Sequence, residues 1–441
     1  MRRAAVTVLL TSILLASSAY ATGYALREFS ASALATSYAG AAATGLHPST
    51  LAFNPALAAD VNDFDVSVSG VGILPSTHGN FTATTILGTP IPGATFERNI
   101  VNTALVGSVS IRKRLTDDLS IGIVATTPWG MITDYDTNWV GRYYATMSNV
   151  KSYNITPVVA YQLTPELSVG AGVQIQYTKG ALGKAIDFGT IAAIYHIPGA
   201  VPAGMDGEVL LKADNWSEGY VVGVKWNPCP DLALGLSYRS QIDHTLHGGE
   251  SFTLDPYGIG AYLAAHTGMF TGGAAQAAFM TPAVATFGAR WTVNDRWTVM
   301  LGADWMGWSS FQDLIIRSAN PHQPDDVNVM NWKNSWFGSL GAEYKAGNDL
   351  TLRLGVAMDQ TPTQNGWRTP GIPDSSRRWL TAGIGYRASD HWDLDVTAAH
   401  LWSGKAAIDL AATDTGNALR GNLDGAVEMG VTLFGFEVTY H

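Results

Sequence analysis

Cysteine is all but missing from this sequence. Cys229, set between Pro228 and Pro230, is the single thiol, so no intrachain disulfide staples the fold and no thiolate metal set forms. Its immediate neighbours are uncharged, so it reads as an inert turn residue. Charge is scarce as well: 14% of residues are Asp, Glu, Lys or Arg, against about 25% in an ordinary soluble domain. The balance leans acidic, 26 basic residues to 36 acidic, which argues against a nucleic-acid partner. Past the N-terminus no run of about 18 apolar residues occurs, which excludes α-helical membrane spans. Catalytic signatures are missing too, with no Gly-x-Ser-x-Gly, no His-Glu-x-x-His and no phosphate loop. Gly383, Gly385 and Ala388 fit a relaxed dinucleotide fingerprint, but that segment runs from a strand into a hairpin and no helix follows. His244 and His247, three apart on a strand, point to opposite faces. No cofactor, no metal and no enzymatic activity are expected.

What is present divides the chain into three. Residues 1–21 read as a secretory signal: Arg2 and Arg3, an apolar core from Val6 to Ala16, then Ala19-Tyr20-Ala21 as a small-x-small cleavage site. Its removal leaves 24 basic against 36 acidic residues, a net charge of −12. Residues 22–61 form the stretch on which the rest is organised. From Phe29 to Ala59 it carries no charge, yet Gly40, Gly45, Pro48 and Pro55 break it and no period-2 pattern runs through it. It is therefore neither a membrane span nor a strand. An uncharged irregular segment of this length stays ordered only when something encloses it and satisfies its backbone. The expected enclosure is a barrel built by residues 62–441, with this segment as the plug.

Strict alternation dominates those residues. From Leu167 to Tyr177 every odd position is apolar and every even one is polar or Gly, and the pattern recurs from Leu232, Trp297, Leu350, Leu380 and Trp392. Such strands have one apolar and one small or polar face. In a bilayer an open sheet edge finds no water, so the sheet must close. Short turns at Thr116-Asp117-Asp118, Thr164-Pro165-Glu166, Pro228-Cys229-Pro230-Asp231, Asn294-Asp295-Arg296, Gly347-Asn348-Asp349 and Ser389-Asp390-His391 define six hairpins. With one strand before (near Phe64 to Ile73) and one after (near Val427 to Tyr440), the count is fourteen: an all-β, fourteen-stranded antiparallel transmembrane β-barrel with an N-terminal plug, or hatch, in its lumen. Long outward connections include 181–213 and 246–281, and both termini fall on the short-turn, periplasmic side. Trp129, Trp139, Trp216, Trp226, Trp291, Trp297, Trp332, Trp336, Trp379 and Trp392 sit near strand ends and mostly read as interfacial girdles.

Phe29-Ser30, Tyr38-Ala39-Gly40 and Asn54-Pro55-Ala56, in this order, resemble the hatch of the FadL/TodX family of outer-membrane transporters of long-chain fatty acids and aromatic hydrocarbons. The resemblance extends through Trp308-Ser309-Ser310-Phe311-Gln312 and Pro373-Asp374-x-x-Arg377-x-Trp379 to the last strand, which ends on Tyr440 and His441 where the family commonly ends on Phe. It implies passive uptake of hydrophobic molecules across the outer membrane by a monomer that the barrel assembly machinery inserts among outer-membrane lipids.

The resemblance also assigns residues. Phe29, Asn54, Pro55 and Ala56 are expected to act as plug and gate, with Asn54-Pro55-Ala56 closing the lumen pocket from below. Pro128, Trp129 and Gly130 interrupt strand three and correspond to the family's inward kink, a lateral opening; a simple rim bulge is the other reading. Phe188, Tyr257, Tyr262 and Phe270 make two outer loops unusually apolar, for ligand capture or merely for packing on each other. Lys179 falls where the family keeps a basic residue near the ligand head group. Ile315 stands where a second is expected, with Arg317 two residues on along the same face. Asp374 with Arg377 reads equally as a lumen ion pair or a ligand contact. The alternatives from other classes are a general diffusion porin or adhesin barrel, and an outer-membrane lipase using His47, the one plug histidine.

Overall fold

A computed structural model describes residues 23–441; the signal-peptide reading of residues 1–21 lies outside them. Fourteen strands form the wall. In chain order β1 is Phe64–Thr84, β2 Ala104–Arg114, and β3 Leu119–Thr126 continued by Gly130–Asp134. β4 is Met147–Thr164, β5 Leu167–Asp187, β6 Asp206–Cys229, and β7 Leu232–Arg239 continued by Ile242–Thr253. β8 is Gly273–Thr281 continued by Val284–Thr292, and β9 is Trp297–Met306 continued by Asp313–Ser318. β10 joins Asp326–Val329 to Ser335–Lys345, β11 is Leu350–Asp359, β12 Arg377–Ser389, β13 Trp392–Ser403 continued by Ala406–Leu410, and β14 Asn422–Tyr440. Each pairs antiparallel with the next. The sheet closes because β1 pairs with β2 on one side (Val66 opposite Ile111) and with β14 on the other (Val66 opposite Tyr440). All six short turns fall where the sequence places them.

Alternation decides which face meets lipid. On β5, Val173 is 52% and Ile175 43% exposed, whereas Gln174 and Gln176 between them are buried. The apolar residues thus look outward and the polar ones into the lumen, the reverse of a soluble barrel. Arg239, Asp304 and Arg353 share the inward parity, and His244 is buried inside while His247 is exposed outside.

Two expectations need correction. Strands run well past the predicted ends: β1 reaches Thr84, and the 181–213 and 246–281 loops are largely ladder, with Lys184 opposite Val209 and Thr253 opposite Glu208. Beyond the bilayer a strand needs hydrogen bonds but no apolar face, so pairing outlasts the sequence pattern. The tryptophans also divide. Trp216, Trp226, Trp291, Trp297, Trp336 and Trp392 are exposed girdle residues, but Trp129, Trp139, Trp332 and Trp379 are buried inside.

The wall encloses Gly23 to Val61. Short helical turns relay this segment: α1 (Ala31–Leu34), capped by the Ser30 hydroxyl, and two 3₁₀ turns, Pro48–Ala52 and Pro55–Asp60. Inward side chains satisfy its backbone from several directions. Ala31 N–H donates to Ser69 Oγ on β1 (2.9 Å), Thr397 on β13 donates to Ala31 O (2.6 Å), Thr381 on β12 to Ala35 O (3.0 Å), and Arg112 on β2 to Leu57 O (2.8 Å). Glu437 on β14 accepts from Ser30 Oγ, Ser32 N–H and Ser49 Oγ. Elsewhere wall and segment meet backbone to backbone, and glycine makes room. A Cβ on Gly235 of β7 would overlap the Ala42 carbonyl oxygen, and one on Gly223 of β6 the Asn54 side chain.

Gly235→Val should therefore cost about 1–3 kcal/mol through overpacking. The expected result is a lower temperature for the heat-dependent mobility shift of the folded barrel and faster proteolysis of the N-terminal segment. Gly338→Val on β10, where a Cβ meets nothing within 4 Å, should leave both unchanged.

Candidate functional site

The site is a cavity of about 490 Å³ above the N-terminal segment, opening toward the long loops. Inward residues of several strands line it, among them Leu182, Leu211, Leu246, Phe279, Ile316 and Met330. These are the inward positions of the outer strand halves, where the polar lumen turns apolar.

Its floor is aromatic. The Tyr24 ring packs on Phe279 (5.0 Å between centroids), Trp308 (4.7 Å), Phe311 (5.8 Å) and Trp332 (5.7 Å), with its hydroxyl donated to the Met280 carbonyl. Gly23 holds that ring in place: φ is +68°, and a Cβ would strike Trp332. Its N–H donates to buried Asp374 (2.9 Å), which is ion-paired with Arg377. Asp374 and Arg377 thus serve as an anchor for the floor.

β3 breaks beside that floor. Thr126 pairs with Asn154 and Gly130 with Lys151, so four steps on β3 face three on β4, a one-residue bulge. β3 also leaves β2: their ladder ends at Val109 opposite Ala125. The N-terminal segment replaces it, Leu26 N–H donating to Pro128 O and Gly130 N–H to Tyr24 O, both at 2.8 Å. Trp129 turns inward against Tyr24 and Trp308. Ser152 on β4 satisfies the bulged residue, its Oγ accepting from Trp129 N–H at 2.9 Å.

At the mouth, α2 (Phe188–Ile194) and α3 (Ile259–Thr267) pack through Phe188, Ile191, Leu263 and Phe270. Asp187 caps α2, accepting from Thr190 N–H at 2.8 Å. Six charged residues line the cavity: Lys184 Nζ lies 2.7 Å and Arg420 Nη2 2.5 Å from Asp326, and Asp187, Glu250 and Asp325 are the others. Lys184 stands beyond the outer aromatic residues Tyr177 and Trp216, clear of the bilayer. Burial and the neighbouring Arg420 push its ammonium down to about 8, against the opposing pull of Asp326.

Several expected site residues stand elsewhere. Lys179 has outward parity, with its Nζ 5.7 Å from the Tyr153 ring centre on the lipid face. Arg317 is also outward, 3.4 Å from Asp325. Phe270 lines the cavity and Phe188 packs behind it, but Tyr257 is 70% exposed and Tyr262 lies against His266, tilted, at 4.0 Å between centroids, and neither lines it. Asn54, Pro55 and Ala56 lie deeper than the floor. The Asn54 amide donates to Ala42 O (2.7 Å) and Val224 O (3.0 Å), its oxygen caps Ala56, and Phe29 packs against Phe53 nearby. They fasten segment to wall, while Tyr24 closes the cavity. Sequence reasoning missed Lys184, although carrying the Gln174 and Gln176 parity onward leads to it. Asp326, Arg420 and Ser152 carried no comparable signal. Below the segment lies a second, wider space of about 1470 Å³, lined by Asp60, Lys225, Arg290, Glu343 and Arg353 and open at the short-turn end.

A family model described as outer membrane protein transport protein (OMPP1/FadL/TodX) matches residues 12–441. The chain belongs to this family. The long-chain fatty acid transport protein of Escherichia coli K12 is 25% identical over 420 residues, covering 90% of this chain and 91% of that protein. A putative outer membrane protein of Neisseria meningitidis serogroup B is 26% identical over 415 residues, 89% of each chain. Among solved structures, a Pseudomonas aeruginosa FadL homologue superposes with a TM-score of 0.86 at 25% identity, covering 95% of this chain and 99% of that one. The Ralstonia pickettii toluene transporter TbuX superposes at 0.65 with 18% identity, covering 94% and 99%, a likeness of fold. The protein is thus an outer-membrane transport barrel and not an enzyme.

The Ser152 contact gives a test of the break. Ser152→Ala strips the buried Trp129 N–H of its acceptor, which should cost about 1–3 kcal/mol locally. Hydrogen exchange at Trp129 and Gly130 should quicken at least about fivefold while exchange elsewhere on β3 and β4 holds.

Proposed function

We propose that this barrel takes up long-chain hydrophobic molecules bearing a carboxylate, of which fatty acids are the leading class. One observation carries the reading: a cavity lined mostly by apolar side chains holds two cations, Lys184 and Arg420, that share the acid Asp326, while of its other acids Asp187 is held by the Thr190 and Ala203 amides and Asp325 by Arg317. An aliphatic tail would lie toward Tyr24 with the head group at Lys184. The volume falls within the range of about 300–1,000 Å³ usual for small-molecule sites.

Capture begins at the apolar loops around α2 and α3, where Phe188 and Phe270 support the entrance. Transfer onward requires the Gly23–Leu26 stretch to move, because it is both the floor and the edge filling the break in β3. The same displacement opens a way sideways between Pro128 and Gly130 into the bilayer, and Phe29, Asn54, Pro55 and Ala56 hold the remainder of the plug against the wall meanwhile. A concentration gradient supplies direction. One closed lumen makes one chain the working unit, delivered to the membrane by the barrel assembly machinery.

Two results test this on the purified protein. Each methylene buried is worth about 0.8 kcal/mol, so affinity should rise about fourfold per added carbon until the cavity is full. Head-group recognition should depend on pH. A bound carboxylate raises the Lys184 pKa, so its contribution is fully present below about 8 and is lost as pH rises through the bound-state value. Palmitate binding should weaken from pH 8 to 10 in the wild type and stay flat over that range in Lys184→Met. An aromatic hydrocarbon that binds tighter than palmitate, without any alkaline loss, would sink the carboxylate reading; swelling of protein-loaded liposomes in sugars would sink the transporter reading in favour of a porin.

A further inference from the structure

The outer face of the break carries an arrangement that the uptake reading leaves unused. Lys151 on β4 and Lys179 on β5 are directly opposed in the antiparallel ladder, both on the outward parity. Like charges so placed repel. Among the described residues neither is ion-paired. Asp214, the register partner of Lys179 on β6, is not paired with either lysine. The acids on this face are Asp214 and Glu218 on β6, Asp243 on β7 and, further out, Asp134 on β3.

Depth decides what such a pair meets. Immediately below it, toward the membrane centre, lies an aromatic row: Tyr153 and Tyr177 stack at 6.4 Å between centroids, and Tyr177 meets Trp216 at 5.1 Å. Aromatic rings with polar tips mark the head-group level of a bilayer. Lys151 and Lys179 therefore stand at or just above the lipid head groups of the outer leaflet. A single lysine there is ordinary snorkelling. Two lysines in register with the one acid Asp214 beside Lys179 leave a net positive charge at this level, which an anion near Lys151 would balance. The other register neighbour of Lys151 is Gly130, which puts no side chain between the lysine and the break in β3.

We propose that Lys151 and Lys179 form a binding site for a phosphate group of the phosphorylated glycolipid in the outer leaflet. A phosphate presents up to two negative charges and several acceptor oxygens, enough to bridge both ammonium groups at once. A lipid held there stands beside the break in β3, fixing which acyl chains face it. The site does not depend on the route taken by cargo.

Native mass spectrometry of the full-length barrel in detergent, titrated with diphosphorylated lipid A or its enzymatically dephosphorylated form, tests this. The wild type should retain the phosphorylated lipid about tenfold better than the dephosphorylated one. The double variant Lys151→Gln, Lys179→Gln should lose that preference, Lys151→Arg with Lys179→Arg should keep it, and Lys212→Gln, further out on β6, should leave it unchanged. The heat-dependent mobility shift reports whether each variant is folded, and the single Gln variants stand in should the double variant fail. Equal retention of the two lipids by the wild type overturns the proposal. So does an unaltered preference in the Gln variants, and so does displacement of the glycolipid by equimolar palmitate, which would assign the lysines to cargo carboxylate.

Discussion

The constraint on which everything else rests is that a backbone in hydrocarbon has no water to bond. A strand edge left open there costs several kcal/mol per group. β1 must therefore find β14, and the nineteen paired positions between them complete a wall without an edge. Closure fixes the two-faced pattern of every strand and creates a lumen. It also makes any interruption conspicuous. At β3 the ladder with β2 stops at Val109, and the donors and acceptors it leaves are met by Tyr24 and Leu26 of the N-terminal segment. The wall is complete only while that segment is in place, so one set of hydrogen bonds both closes the cavity floor and seals the side.

The contact between segment and wall is built differently from a protein core. Apolar packing is extensive where Tyr24, Leu26, Leu34 and Tyr38 join the main hydrophobic cluster of the wall, and smaller around Phe29, Leu51 and Leu57. Much of the rest is hydroxyls and charges from the wall meeting backbone, as with Thr381, Thr397, Arg112 and the serines around Glu437, with glycines allowing close approach. Such contacts are directional and specific, but each exchanges readily for water. The part of the segment below Tyr24 is therefore held largely by directional contacts, whereas the proposed displacement of Gly23–Leu26 also withdraws the Tyr24 ring from Phe279 and Trp308.

Parity explains how much of this was legible in the sequence. Alternation, with the turns, was enough for the strand number, the closure and the inward residues Gln174, Gln176, Arg239 and Asp304, because a bilayer imposes the pattern on every crossing. Outside the bilayer the imposition ends. The outer halves of β5 to β8 therefore read as loops, although their ladders continue. Lys179 was placed by resemblance to a motif, and one position of strand parity overrules it: a step of one residue turns a lumen cation into a lipid-facing one. Lys184, on the inward parity, was concealed by having been assigned to a loop. The buried Trp129, Trp139, Trp332 and Trp379 look like girdle residues because the pattern near a strand end does not tell an inward ring from an outward one. Asp326 and Arg420 come together from β10 and the approach to β14, a pairing no local pattern records.

The two spaces on either side of the segment bear on the direction of transport. Above it the lining is aliphatic and aromatic; below it Asp60, Lys225, Arg290, Glu343 and Arg353 face a wide opening. A molecule held by its tail in the upper cavity gives up about 25 cal/mol for each Å² of apolar surface it exposes on entering the lower one. On the proposed path between Pro128 and Gly130 it would exchange Leu, Phe and Met contacts for acyl chains, at almost no cost of that kind. The barrier to that proposed path includes the hydrogen bonds between Tyr24, Leu26 and the bulge, each worth about 1 kcal/mol net, and the packing of the Tyr24 ring on Trp129, Phe279 and Trp308. The downward path must break these and solvate the tail as well. For the proposed long apolar cargo the difference would grow with every methylene, so the polarity of the lower chamber supports the proposal of a lateral exit.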